Sequence, residues 1–255
     1  MRGIARLKNI ACALRDMRLC SEKEETLARD AVKLWSDSQE SDKIKDWSHW
    51  RGEGRWAAED SWYEIGRGHY AMYERLLALA GRENCGKSMV EWGPGGGSNA
   101  VCFLKNFEAY YGVDLSPANL EECQRQVESH ELTGFQKVLI DPDQPEACRE
   151  QFPQKVDFFL STAVFQHFPS KDYGLRITRL AYELLADKGL ALIQTRYDDL
   201  SEKYRPKDRH YRKNVLTFTS YAIEEFWEAA AAVGFSPLGL ALNPEVNYAF
   251  YLMEK

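Results

Sequence analysis

The segment from Glu91 to Ser98 holds four glycines within the five positions Gly93-Pro94-Gly95-Gly96-Gly97. It follows a short apolar run and leads into a helical pattern. Glycines at such a place let backbone N–H groups approach a bound ligand, because no Cβ stands in the way. A tight turn without a ligand is the alternative interpretation. Four glycines exceed what one turn requires, so the pattern favours a ligand-binding loop.

The acidic residue Asp114 follows the glycine segment at a spacing that indicates which kind of ligand binds. Asp114 ends the next apolar run, AYYGVD, 17 residues after Gly97. In nucleotide-binding βαβ units an acid about 20 residues after the loop accepts hydrogen bonds from ribose hydroxyls. The pair predicts an adenosine-containing ligand. Ser98 replaces the last glycine of the dinucleotide fingerprint, so E-x-G-x-G-x-G beginning at Glu91 fits better, and the absence of Gly-Lys-Ser/Thr excludes a P-loop.

Further polar residues stand where they could contact a second ligand. His167 lies just beyond a predicted strand, where open α/β sheets bind ligands, and is either a general base or a structural histidine. A basic run that includes Arg209 is expected to be a solvated face, or else to attract a phosphorylated or carboxylated substrate. Its members are Lys203, Arg205, Lys207, Arg209, His210, Arg212 and Lys213.

The elements that must position these residues alternate regularly from residue 87 onward. Strands are predicted to end near Glu91, Asp114, Ile140, Leu160 and Thr195, and helices are predicted at about 98–107, 116–130, 144–152, 172–186 and 220–233. The runs SPLGLAL and VNYAFYLM predict a terminal β-hairpin. Such alternation indicates a mainly parallel sheet with helices on both faces.

The N-terminal third has another character. Helices are predicted over residues 2–20 and 22–35, then a loop or broken helix, then a helix near 67–80 that ends at Gly81. Five of the seven tryptophans lie between residues 35 and 62. We expect a helical cap over residues 1–86 with Trp56 and Trp62 on the pocket side. Arg67 and His69 are further candidate ligand contacts.

Composition narrows the classes of partner. The chain has 255 residues with 33 basic and 39 acidic side chains, a net charge of −6, and a mean hydropathy of −0.50. The acidic balance argues against binding of duplex nucleic acid. Its six cysteines form no C-x-x-C pair, so no metal site is expected. Neither a signal peptide nor a membrane span is predicted, and we expect a cytoplasmic protein.

Residues 87 to about 255 resemble the class I S-adenosylmethionine-dependent methyltransferases. Glu91 to Gly97 is similar to the family's first motif, and Leu184 to Gly189 to its "LL-x-x-x-G" turn. The resemblance implies a Rossmann-like, doubly wound, seven-stranded and mostly parallel sheet with an antiparallel terminal hairpin over residues 87–255. It implies S-adenosyl-L-methionine as cofactor. The implied binding residues are Glu91, Gly93, Gly95, Gly97, Asp114, Leu115, Asp141, Pro142 and Ser161.

The resemblance leaves the methyl acceptor open. Ser161-Thr162-Ala163 differs from the D/N-P-P-Y/F sequence of enzymes that methylate base amino groups, and no cysteine stands there. We therefore expect methyl transfer to oxygen or nitrogen of a small metabolite, sugar-like or anionic, with His167 as the candidate catalytic residue. An NAD-dependent oxidoreductase and a non-catalytic cofactor-binding subunit are the alternatives. The oligomeric state stays open, with a homodimer as one option.

Overall fold

A computed structural model describes residues 21–36, 41–83 and 86–255. The helix predicted over residues 2–20 lies outside the described residues. The three described stretches contain one seven-stranded sheet and helices on both of its faces.

The strands follow the predicted alternation closely. They are β1 (Ser88–Trp92), β2 (Ala109–Asp114), β3 (Phe135–Leu139), β4 (Val156–Ser161), β5 (Leu185–Arg196), β6 (Ser236–Asn243) and β7 (Tyr248–Glu254). Their order across the sheet is β3-β2-β1-β4-β5-β7-β6. The pairs among β1 to β5 are parallel, whereas β7 is antiparallel to both β5 and β6. The predicted fold class, including the terminal hairpin, is confirmed.

The central strands read as apolar runs because helices cover both of their faces. All five residues of β1 are buried, and alternate side chains of the strands enter two hydrophobic clusters. Val90 and Phe159 belong to one cluster, and Met89 and Phe158 to the other. The carboxyl ends of β1, β2 and β3 consequently lie side by side at one edge of the sheet.

The helices are α1 (Glu24–Ser36), α2 (Asp42–Trp47), α3 (Glu59–Leu79), α4 (Ser98–Phe103), α5 (Pro117–Ser129), α6 (Lys171–Leu184), α7 (Tyr211–Asn214) and α8 (Ile223–Val233). The structure differs from the prediction in the type of one helix and in the start of another. The segment over 144–152 is a 3₁₀ helix, Pro145–Gln151, and α3 begins at Glu59 instead of near residue 67. Glycines inside α3 concealed its period. Gly66 is needed there, since a Cβ would lie 2.3 Å from the Ser98 carbonyl oxygen.

Helix α1 packs away from the sheet, on the segment that follows β5. Leu27 and Ala31 form a third hydrophobic cluster with Tyr211, Val215 and Phe218. The N-terminal part of the chain and the segment after β5 therefore join into one layer above the carboxyl ends of the strands. None of the helices in the described ranges is long and apolar enough to cross a membrane.

Candidate functional site

One cavity opens where the carboxyl ends of the strands meet this layer, and it contains about 1060 Å³ of atom-free space, part of it open to solvent. One side, here called the strand-end wall, consists of Glu91, Gly93, Gly95, Asp114, Leu115, Ile140 and Pro142. The other side, here called the aromatic wall, consists of Ala31, Trp35, Trp47, His167 and Tyr211.

The glycine segment forms the centre of the strand-end wall. Gly93, Gly95 and Gly97 have φ values of 78°, 51° and 84°, which side chains other than glycine adopt at a cost. At Gly93 a Cβ would also lie 2.4 Å from a methyl group of Val164. The backbone N–H of Gly96 donates to the Ser48 carbonyl at 2.7 Å. The loop is thus shaped by glycine and covered by the segment after α2.

Asp114 ends β2 beside this loop and is almost fully buried. Its carboxylate accepts hydrogen bonds from the Ser116 backbone N–H at 2.8 Å and from the Asn119 amide at 3.3 Å. Burial raises the pKa of Asp114 to about 6, and these hydrogen bonds partly offset that rise. The Trp50 indole N–H donates to Asn119 Oδ1 at 2.9 Å and so steadies the amide that holds the carboxylate.

Glu91 is the penultimate residue of β1 and lies within a buried polar network. Its carboxylate accepts hydrogen bonds from the Asn99 amide at 2.5 Å and from the Tyr110 hydroxyl. The same Asn99 amide donates to Thr162 Oγ1 at 2.9 Å, and Asn99 Oδ1 accepts from His69 Nδ1 at 2.9 Å. Burial raises the pKa of Glu91 to about 7, against the effect of the Asn99 and Tyr110 hydrogen bonds.

These residues fit an S-adenosylmethionine molecule. The end of β2 offers a carboxylate for ribose hydroxyls, and Leu115, Ile140 and Pro142 offer apolar surface beside it. Glu91 and Asp114 are the acidic side chains of the cavity lining among the described residues. Two carboxylates favour a cationic sulfonium group in the same space.

His167 lies in the aromatic wall, in the 3₁₀ helix Phe165–His167 after β4. Its Nδ1 donates to the Val215 carbonyl at 2.7 Å, so in the neutral ring Nε2 carries the lone pair. Burial lowers the pKa of His167 to about 4, and the carbonyls of Val215 and Ala163 partly offset that effect. The imidazole is consequently neutral at pH 7 and accepts a proton weakly.

Trp35 contacts this imidazole, and Tyr211 binds the backbone of the same histidine. The Trp35 ring lies 4.9 Å from the His167 ring, between centroids. The Trp35 indole N–H donates to the Tyr211 hydroxyl at 3.0 Å, and that hydroxyl donates to the His167 carbonyl at 2.5 Å. The ring centroids of Trp47 and Trp35 lie 6.4 Å apart. The wall is therefore tied together by residues far apart in the chain.

Two residues occupy the join between the walls. The Ser48 hydroxyl oxygen is buried in the cavity lining and has no hydrogen-bond partner among the described residues. His49 has a φ of 58°, unusual for a residue with a side chain, and its carbonyl accepts a hydrogen bond from Trp62 at 2.7 Å. Burial, assisted by His69, Arg55 and His167, lowers the pKa of His49 to about 3.

Of the residues proposed from the sequence, Glu91, Gly93, Gly95, Asp114, Leu115, Pro142 and His167 line the cavity. Three others of the proposed cofactor set do not. Gly97 precedes α4, where a Cβ would lie 3.0 Å from Cys123 Cα. Asp141 is exposed and accepts from the Asp143 backbone N–H. Ser161 is fully buried, and its hydroxyl donates to the Trp92 carbonyl.

The substrate contacts expected from the N-terminal region also lie outside the lining. Trp56 packs its ring against His49 at 4.8 Å, and Trp62 is fully buried. Arg67 is exposed and pairs with Glu64.

His69 reaches the site only through Asn99. Arg209 and the other members of the basic run are absent from the lining. The cavity geometry therefore offers no support for direct substrate contacts by Trp56, Trp62, Arg67, His69 or Arg209.

The residues that sequence reasoning missed are Trp35, Trp47, Ser48, His49, Asn99 and Tyr211. A signal for Trp35 existed, because Leu27, Ala31 and Trp35 recur every four residues along one helix face. No such local signal marks Tyr211. Among the described residues, no group of three or more histidine, cysteine or acidic side chains is placed to hold a metal ion.

Comparisons with known proteins agree with this geometry. The model of a methyltransferase domain family matches residues 64–237. A S-adenosylmethionine-dependent methyltransferase from Clostridium acetobutylicum is similar in structure, with a TM-score of 0.56 and 12% identity, over 72% of this chain and 88% of that chain.

The N-methyltransferase NodS from Bradyrhizobium japonicum, in complex with S-adenosyl-L-homocysteine, is similar with a TM-score of 0.53 and 10% identity. The similarity covers 73% of this chain and 86% of that chain. No curated protein sequence matches the chain. At such low identity the solved structures show the fold, and the family model shows the family. The chain belongs to the methyltransferase domain family, within the class I S-adenosylmethionine-dependent methyltransferases.

Proposed function

We propose that the protein transfers a methyl group from S-adenosylmethionine to an oxygen or nitrogen atom of a small molecule. The observation that carries the proposal is the charge of the cavity, which contains two carboxylates and, among the described residues, no lysine or arginine. The cofactor, when bound, supplies an electrophilic methyl group on a cationic sulfur. A cavity of this charge stabilises a cation and disfavours an anion.

The same observation argues against a nicotinamide dinucleotide. The pyrophosphate of such a cofactor needs backbone N–H groups or cationic side chains at the glycine loop. Here the Gly96 N–H donates to the Ser48 carbonyl, and Glu91 lies in the cavity lining beside the loop. A dianionic pyrophosphate would displace a protein hydrogen bond and approach the Glu91 carboxyl group.

The chain's own residues would bind the cofactor, orient the acceptor and exclude water. Asp114 would hold the ribose, Leu115 and Pro142 would contact the adenine, and Glu91 would lie beside the amino acid end. His167 Nε2 would accept a hydrogen bond from the acceptor's O–H or N–H. A base with a pKa of about 4 takes that proton only late, as the new bond to carbon makes the acceptor atom strongly acidic.

The proposal includes a functional division of the chain. Residues 1–86 would supply the cover of the cavity, and residues 87–255 would supply the cofactor site. Helix α3 bridges the two, since it packs closely on α4 through Gly66 and Ser98, and the family match begins inside it at residue 64.

Isothermal titration calorimetry with S-adenosylhomocysteine and with NAD tests this proposal. We expect the wild type to bind S-adenosylhomocysteine and not NAD. Asp114→Asn should weaken binding by about tenfold or more, because charge-assisted hydrogen bonds to the ribose are lost. Asp187→Asn, the same change at an exposed position at the opposite end of the sheet, is the matched control. Tight NAD binding without S-adenosylhomocysteine binding would overturn the proposal.

A further inference from the structure

The aromatic wall indicates which kind of molecule would receive the methyl group. We propose that the acceptor is an uncharged molecule with a flat ring, bearing an O–H or N–H group, and that it binds against Trp35 and Trp47 with its polar hydrogen directed toward His167. This inference rests on the proposed function and specifies its substrate class.

The charge of the cavity lining is the first reason to expect a neutral acceptor. An anionic acceptor would need a cation or several N–H donors, since an uncompensated buried charge is costly. No lysine or arginine among the described residues lines the cavity. Arg67, a candidate from the sequence, pairs with Glu64 at 2.9 Å. Arg196, whose charge helps to lower the pKa of His167, donates to the backbone carbonyls of Leu216 and Val246. With Glu91 and Asp114 present, an added carboxylate or phosphate would be repelled.

The second support is the shape and chemistry of the wall. Trp35 and Trp47 present indole rings, and Ala28, Ala31 and Val32 add aliphatic surface from α1. The Trp35 ring is held by its hydrogen bond to Tyr211 at 3.0 Å and by its contact with His167 at 4.9 Å. Rigid aromatic surfaces of this kind bind flat rings by stacking and edge contacts. A sugar ring would leave most of its hydroxyls unpaired against them.

Two uncharged polar residues of the cavity lining, His167 and Ser48, are the third reason to expect a neutral acceptor. His167 is neutral with its Nδ1 hydrogen committed to the Val215 carbonyl, so Nε2 is an acceptor. Ser48, a residue of the cavity lining that is only 7% exposed, has a buried hydroxyl oxygen without a hydrogen-bond partner among the described residues. These groups suit a ligand that donates a hydrogen bond, and they provide no cation for an acid.

Binding of matched ligand pairs to the protein saturated with S-adenosylhomocysteine tests the inference. The probes are 2-naphthol with 6-hydroxy-2-naphthoate, indole with indole-3-carboxylate, and glucose with glucose 6-phosphate. Calorimetry measures each affinity for the wild type, Trp35→Ala, Trp35→Phe and the control Trp227→Phe on α8. Circular dichroism verifies that each variant is folded, and Trp35→Phe serves if the alanine variant is not.

We expect the neutral aromatic member of at least one pair to bind about tenfold or more tightly than its carboxylate. Its affinity should fall severalfold in the Trp35 variants and stay unchanged in Trp227→Phe. Preference for the charged members or the sugars, absence of binding by both neutral aromatics, or indifference to Trp35 would each overturn the inference. These outcomes leave the proposed function standing if S-adenosylhomocysteine binds, whereas failure of S-adenosylhomocysteine to bind removes both.

Discussion

The two walls of the cavity are built in different ways. The strand-end wall comes from the carboxyl ends of three neighbouring parallel strands, β1, β2 and β3. The aromatic wall comes from α1, α2, the turn after β4 and α7, and its central hydrogen bond joins residues 176 positions apart. The first wall follows from the regular geometry of a parallel sheet. The second exists only because distant segments bury apolar surface against one another.

The walls meet through a few specific contacts. The Gly96 N–H donates to the Ser48 carbonyl at 2.7 Å, and the Trp50 indole donates to Asn119, which in turn holds Asp114. The cover of the cavity is therefore hydrogen-bonded directly to the proposed cofactor site. Substitutions can separate what belongs to each wall from what belongs to the join.

The largest effect is expected at the join, for Gly96→Ala. A Cβ at Gly96 would lie 2.1 Å from the His49 carbonyl oxygen, and backbone on both sides leaves little room to adjust. We expect a loss of about 2–4 kcal/mol in the free energy of unfolding and a strong loss of S-adenosylhomocysteine affinity. Urea denaturation and calorimetry measure these effects.

Gly68→Ala is the matched control for that change. Gly68 is exposed within α3, and a Cβ there would have no neighbour within 4 Å. Alanine should stabilise the helix by about 0.5–1 kcal/mol. Equal behaviour of the two variants would contradict the close seating of Ser48 and His49 on the glycine loop.

A smaller and more selective effect is expected for Tyr211→Phe in the aromatic wall. The change removes a buried hydroxyl that accepts from Trp35 and donates to the His167 carbonyl. We expect the free energy of unfolding to fall by about 1–3 kcal/mol, with little change in S-adenosylhomocysteine affinity. Tyr182→Phe, outside the cavity lining, is the control. A large loss of cofactor affinity in Tyr211→Phe would show that the two walls are not separable.

The last prediction requires no substitution and concerns the dependence of cofactor affinity on pH. Burial raises the pKa of Asp114 to about 6 and that of Glu91 to about 7. We propose that the ionised carboxylates bind the cofactor, so S-adenosylhomocysteine affinity should fall as pH decreases from 8 to 5, by at most about tenfold per pH unit for each group. His49 and His167, with pKa values of about 3 and 4, stay neutral over that range. Glu91→Gln should remove the upper part of the slope, and Asp114→Asn the lower part. A flat profile in the wild type would contradict this role of the two acids.

The sequence predicted the strand-end wall because its residues stand at strand ends. Glu91 and Asp114 each close an apolar run, and the sheet brings such ends together whatever the helices do. The exceptions are informative. Asp141 comes two residues after β3 ends at Leu139, so its side chain turns to solvent while Ile140 and Pro142 face the cavity.

The aromatic wall escaped prediction because tertiary packing decides it. Trp56 and Trp62 belong to the same tryptophan-rich stretch as Trp47. The Trp62 side chain is nevertheless buried in the protein interior, where its indole N–H donates to the His49 carbonyl. Trp62 is buried because α3 already begins at Glu59. Gly66 and Gly68 interrupt the apolar period of that helix, so its start could not be predicted from the sequence. Tyr211 lies within a basic run, and only the docking of α1 on α7 shows that its side chain is buried.

The most direct test of the account is a crystal structure of the protein with S-adenosylhomocysteine bound. We expect the ribose hydroxyls on Asp114, the adenine beside Leu115 and Pro142, and the sulfur directed toward the space bounded by Trp35, Trp47 and His167. A ligand whose sulfur points away from that wall, or one bound outside the cavity, would contradict the assignment of a cofactor wall and an acceptor wall.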